Sequence, residues 1–224
     1  MEGSDGYGNP NQKGRRKPDE VNSDEMNSDE VNPVQRGNRL HLREASRMTV
    51  YTPPRGVPLF LHTHGMPPAE DWVPHIIGCE PVYLAGYGNA ALITLDNAAQ
   101  KVFGRGVSWI QREIHRYHGI DETEIRRKFQ RYVNMYQSVP VIVPRRDLVL
   151  FAVKTRIPQH HNDGATGFVA NTAVQTIEFI SHKKSRIQLE TGQHMDVLMS
   201  ADAVRKRKST AELFAFMLHR DGIM

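Results

Sequence analysis

Val139-Pro140-Val141-Ile142-Val143-Pro144-Arg145-Arg146-Asp147-Leu148-Val149-Leu150-Phe151-Ala152-Val153 (139–153) is where the chain changes its period. Two short apolar, β-branched runs, 139–144 and 148–153, bracket Arg145-Arg146-Asp147, which reads as two strands joined by a turn. Upstream the spacing is helical. Ile110, Ile114 and Tyr117 fall at i, i+4, i+7 and predict a helix over 107–118, stopped by Gly119. Asp121, with Glu124 three positions on, has the form of a capping box. It opens a second helix to about 135, whose apolar face is Ile125, Phe129, Tyr132 and Tyr136. Val82–Leu84 and Ala90–Leu95 read as strands around the turn Gly86-Tyr87-Gly88-Asn89. Downstream, Phe168–Val169, Val174–Ile180, Arg186–Leu189 and Met195–Leu198 read as further strands, the last two joined through Glu190-Thr191-Gly192-Gln193. Ser200 can cap a final helix to about Leu218, with Val204, Ala211, Phe214, Ala215 and Leu218 on one face. This order lacks the alternation of a doubly wound sheet. It predicts an α+β fold: a mainly antiparallel sheet with an inserted helical pair and a C-terminal helix.

The N-terminal part differs in kind. Residues 1–48 repeat a five-residue acidic unit: Asp19-Glu20-Val21-Asn22-Ser23, Asp24-Glu25-Met26-Asn27-Ser28, Asp29-Glu30-Val31-Asn32-Pro33. So little apolar surface cannot offset the entropy of ordering, which predicts a disordered low-complexity tail. Residues 49–90 carry Pro53-Pro54, Pro58, Pro67-Pro68, Pro74 and Pro81 among histidines and read as a Pro/His-rich lead-in. The folded unit is expected over 91–224. Past residue 48 the chain holds 21 of its 29 Lys/Arg and 16 of its 25 Asp/Glu, a modest excess of positive charge. Its one cysteine, Cys79, suits a reducing compartment. Met1-Glu2-Gly3-Ser4-Asp5 lacks a signal-peptide pattern, and no apolar run approaches the roughly 20 residues of a membrane span. A cytoplasmic location with no membrane partner is expected.

Catalytic patterns are sparse. His62-Thr63-His64 has the His-x-His form that places two ligands on one face of a strand. With Asp71, His75 and His160-His161 it opens the alternative of a metal-dependent hydrolase using His62 and His64. Ser108 and Ser181 lack nucleophile-elbow glycines, and Cys79 has no neighbouring cation in sequence to stabilise a thiolate. Gly86-Tyr87-Gly88-Asn89 lacks the third glycine of a dinucleotide loop. The reading is therefore of a non-enzyme without cofactor or metal.

The basic clusters carry more information. Arg205-Lys206-Arg207-Lys208 falls in the first two turns of the last predicted helix, where cations oppose the helix dipole by about 0.3–1 kcal/mol each. An anionic partner would reverse that sign, which predicts that the four face phosphate. Arg126, Arg127, Lys128 and Arg131 crowd the second helix, while Arg145-Arg146 and Lys183-Lys184 sit at expected hairpin tips, the latter followed by Arg186. All thirteen are candidate DNA contacts. In one docking mode the helical pair is a helix-turn-helix that reads DNA with Arg126, Arg127 and Lys128. In the other, preferred because of the strand content, hairpin tips and the basic helix end lie along the grooves and backbone.

From about Leu92 to Phe214 the landmarks stand in an order that resembles the ComK competence transcription factors. They are Asp96 before Phe103-Gly104, Arg127-Lys128 before Ser138-Val139-Pro140, the strand Leu148–Thr155, Phe168, Val174–Phe179, Gly192-Gln193-His194-Met195, Ser200 and the terminal helix. Phe168 and Ala173 depart from the Trp and His usual there, and the stretch from Gly104 to Arg127 is longer than in typical members. The resemblance implies a sequence-specific activator of DNA-uptake genes. It would bind paired AT-rich promoter boxes largely through the minor groove, as a homodimer or higher oligomer. Phe216-Met217-Leu218 looks like the motif that, in the best-known members, is bound by a protease adaptor, a further implied partner.

Overall fold

The computed structural model describes residues 50–62, 65–144, 147–160 and 162–224. The acidic repeats at 19–33 lie outside them. Residues from Met48 onward form one compact unit. In chain order its elements are β1 (Leu59–Phe60), β2 (Ile76–Leu84), β3 (Gly88–Leu95), β4 (Gln100–Phe103), α1 (Val107–His118), α2 (Glu122–Val133), β5 (Val141–Val143), β6 (Leu148–Lys154), β7 (Thr166–Ala170), β8 (Val174–Ser181), β9 (Lys184–Leu189), β10 (His194–Val197) and α3 (Ala201–Arg220). The expected α+β class holds. A seven-stranded sheet runs β1-β4-β3-β2-β7-β6-β5 and a three-stranded sheet runs β10-β9-β8. All pairings are antiparallel except β1 with β4.

The boundary expected at 90/91 is corrected, because it falls inside β3 and cuts it from its hairpin partner β2. The Pro-rich stretch does not merely lead in to the fold. Its prolines sit where they break nothing: Pro68 precedes a single 3-10 turn (Ala69–Asp71), and Pro74 lies in the first positions of another (Val73–His75). Trp72 between them is 1% exposed and clusters with Phe103 and Trp109. Pro81 lies within β2 itself. Tyr83 accepts a hydrogen bond from Tyr51 N at its carbonyl, so odd-numbered residues of β2 aim their polar groups away from β3. On that side β7 pairs only with Gly78 and Cys79, so the missing N–H of Pro81 costs no ladder bond.

The large sheet is covered on both faces. Val107, Ile110 and Ile114 of α1 pack over Cys79, Val141, Leu150 and Phe168. Gly119 ends α1 at φ +67, a left-handed cap that suits glycine. Asp121 accepts from the N–H groups of Thr123 and Glu124, as its capping role requires. The Glu124 side chain, however, turns to Arg127 and Lys128. Helix α2 ends at Val133, earlier than the expected 135. Tyr136, expected on its apolar face, lies beyond the end and is 68% exposed.

On the opposite face Met195 of β10 packs toward Gly78, and α3 packs on β6. Phe214 of α3 meets Phe129 of α2 edge to face, with ring centroids 5.1 Å apart. Past the three residues that β5 covers, the outer edge of β6 is closed by the chain entering α3. The Lys154 carbonyl accepts from Leu198 N at 2.6 Å, and Arg207 Nη1 donates to the Ala152 carbonyl at 2.7 Å. A smaller cluster (Val82, Leu84, Ala90, Leu92 and Val102) lies under Tyr51, Val57 and Leu61.

Glu80 is a carboxyl placed between layers. Burial, and secondarily the charge of Asp196 on β10, push its pKa up to about 7. The folded state therefore holds a proton that the unfolded chain releases near pH 4.5, so stability falls as pH rises from about 4.5 to about 7. Replacing Glu80 by Gln leaves stability unchanged near pH 4 and raises it by roughly 3 kcal/mol at pH 8, measured by urea unfolding at both pH values. Phe214→Ala removes the contact between α2 and α3 and costs about 3–5 kcal/mol in the same assay.

Candidate nucleic-acid interface

The eleven candidate cations among the described residues do not form one surface. On α2, Arg126 pairs with Glu122 at 3.1 Å, Arg127 donates twice to Glu124 at 2.9 Å, and Lys128 lies 3.5 Å from the same carboxylate. Hydrogen bonding from Arg127 holds the Glu124 carboxyl below its ordinary range. Arg131 stands exposed without an ion pair among the described residues. Helix α2 packs through Phe129 on α3, while α1 packs on the sheet. Arg145 and Arg146 lie outside the described residues.

The four cations of α3 are corrected in orientation. The helix starts at Ala201, so residues 205–208 begin one full turn in, where the dipole has faded. Successive residues are also 100° apart, so four in a row encircle the helix. Arg205 pairs with Asp202 at 2.7 Å and reaches the Ile177 carbonyl at 3.4 Å. Lys206 is exposed, and Lys208 pairs with Glu212. Arg207 turns inward onto the Ala152 carbonyl, and burial holds its guanidinium pKa below the usual range. Arg207 closes a sheet edge, and this contact turns its guanidinium inward.

What remains is a basic tip on the small sheet. Ser181-His182-Lys183-Lys184 forms the tight tip between β8 and β9, with Lys183 N donating to Ser181 Oγ at 3.4 Å. Lys183 and Lys184 are exposed and form no ion pair among the described residues, although the charge of Lys184 reaches Asp196. The Arg205 contact with Ile177 lays the start of α3, with Lys206, beside the same strand. Arg186 sits two residues beyond Lys184 on β9, but Asp196 takes its Nε at 2.6 Å and its Nη2 at 3.1 Å. It belongs to the sheet more than to any ligand.

Beside that tip the hairpin exposes Phe179 (65%) and Ile180 (49%), which the sequence reading placed in a strand without assigning them a role. The register slips between Phe179 and Ser181, so Ile180 is a bulge residue. The period-2 expectation for β8 concealed this. A basic concavity lies elsewhere in the fold. A cleft of about 300 Å³ at the start of α1 is lined by Arg105, Arg112, Asn89, Ser108, Trp109 and Asn162. Behind it Arg156 stacks on Tyr83 at 4.0 Å and donates to Asn89 Oδ1 at 2.6 Å.

The described histidines do not converge. His62 and His160 are exposed, and His75 lies 3.3 Å from Asp96. His64 and His161 lie outside the described residues. Among those described, no group of three His, Cys, Asp or Glu is placed to hold a metal. Cys79 is buried, and burial holds its thiol far above the usual range. No helix among the described residues is long and apolar enough to cross a membrane.

Comparison with protein-family models, with curated proteins and with solved structures finds no match to this chain. The division between structural and free cations is open to measurement. Arg207→Ala orphans a buried carbonyl and lowers stability by about 1–3 kcal/mol, whereas Lys206→Ala changes it by less than about 0.5 kcal/mol in denaturant unfolding.

Proposed function

We propose that this protein is a double-stranded DNA-binding regulator, read as a cytoplasmic, ComK-type transcriptional activator of competence genes that binds AT-rich promoter boxes as a homodimer or higher oligomer. The observation that carries DNA binding is the β8–β9 tip. Lys183 and Lys184 are exposed there without an ion pair among the described residues, and the exposed Lys206 follows Arg205, which reaches the same strand although Asp202 pairs with it. Such cations gain affinity by releasing condensed counterions from the duplex, a term that weakens steeply with salt. The hairpin-and-helix mode draws support from this tip. The helix-turn-helix mode draws less, because Arg126, Arg127 and Lys128 are already engaged by Glu122 and Glu124. The identity as an activator and the preference for AT-rich sites rest on the order of landmarks from Leu92 to Phe214.

Fluorescence anisotropy with AT-rich and GC-rich duplexes at several salt concentrations tests the reading. Affinity falls linearly on a log–log plot against salt, and the AT-rich duplex binds more tightly. The triple change Lys183→Gln, Lys184→Gln, Lys206→Gln shallows the slope by about 0.9 per cation that had met a phosphate, while leaving the fold intact. A wild-type protein whose binding ignores salt refutes the DNA-binding reading. Equal binding of the two duplexes refutes the AT preference.

A further inference from the structure

A soluble fold rarely leaves a phenylalanine two-thirds exposed beside a second bare apolar side chain without a partner for them. Phe179 pairs across the ladder with Ser185, which is fully buried, and its neighbour pair Ile177–Ile187 is anchored by the buried Ile187. Phe179 thus shares the inward face of the hairpin but lies where that face overhangs the core. The His182 ring meets it edge on, with centroids 6.1 Å apart, and Lys183 and Lys184 follow at the turn. We infer that Phe179, with Ile180 beside it, is a wedge that enters a base step of duplex DNA and kinks it, while Lys183 and Lys184 hold the flanking phosphates. This rests on the DNA-binding reading above and adds a deformation of the ligand to it.

Charge and edge geometry select this occupant. A rigid apolar side chain flanked by cations matches a duplex, whose stacked bases lie between two rows of phosphates. Wedges of this kind enter from the minor groove and unstack a step in exchange for wider contact. Pairing of β8 with a second copy of the chain would need a regular open edge. Here the ladder slips at two places, between Val174 and Thr176 and between Phe179 and Ser181, and Arg205 already reaches the Ile177 carbonyl.

The test uses the full chain and a short AT-rich duplex labelled at both ends, with energy transfer reporting the end-to-end distance. Wild-type protein shortens that distance on binding. Phe179→Ala binds within about tenfold of wild type but leaves the duplex straight, and Phe179→Trp restores the bend and loses fluorescence as its ring stacks on bases. A bend equal in wild type and Phe179→Ala, or binding without any bend, overturns the wedge and leaves the DNA-binding reading standing. No binding of wild type to any duplex removes both. A change in the sedimentation of the protein alone on Phe179→Ala overturns the wedge in favour of a surface for self-association.

Discussion

The contact between β2 and β7 is the constraint on which the rest of the molecule depends. Only Gly78–Val169 and Cys79–Phe168 pair across it, yet this short ladder joins β1–β4 to β5–β7. The approach is close: a Cβ at Gly167 would lie 2.6 Å from the Cys79 carbonyl oxygen and 3.2 Å from Glu80 Cα, so any side chain there would force the strands apart. Because the junction is tight, Cys79 and Phe168 form one floor for α1, while Gly78 leaves room for Met195 on the other face. The same junction places Glu80 where burial and the charge of Asp196 make it hold its proton up to about pH 7.

The same economy governs the cations. Charges on helices find carboxylates three or four residues away: Arg126 with Glu122, Arg127 with Glu124, Arg205 with Asp202 and Lys208 with Glu212. Such exposed pairs add little stability, but they reduce the local field that an anionic ligand would meet. Arg207 instead satisfies the carbonyl of Ala152 where β5 no longer covers β6. The cations without an ion pair at the β8–β9 tip stand where the chain reverses and no helical neighbour can reach them. Their distribution follows from local geometry more than from net charge.

Much of the fold was legible before any coordinates. Residues 107–118, the Asp121 cap, Leu148–Val153, the Glu190–Gln193 turn and the helix begun at Ser200 were readable because each depends on neighbours within a few residues: a period, a cap or a turn. Strand β2 was not. Its alternation is masked by Gly78, Glu80 and Pro81, and each is tolerable only because of what lies across the sheet. The candidate site was legible in part, as clusters of charge. It was not legible that Arg207 turns inward, that Arg186 is bound by Asp196, or that Phe179 and Ile180 remain bare, since each depends on a partner distant in the chain or on a register slip.

By itself, then, the sequence determined the α+β class, the order of most elements, their caps and turns, and the clustering of basic residues in the C-terminal half. Tertiary structure alone decided which strand lies at the centre, which cations are structural, and which side chains a ligand could meet. The physical reason is range. Periodicity and capping are set by hydrogen bonds and sterics along a few residues, whereas burial, edge closure and the exposure of Phe179 are set by surfaces that meet only when the sheet closes around β2 and β7.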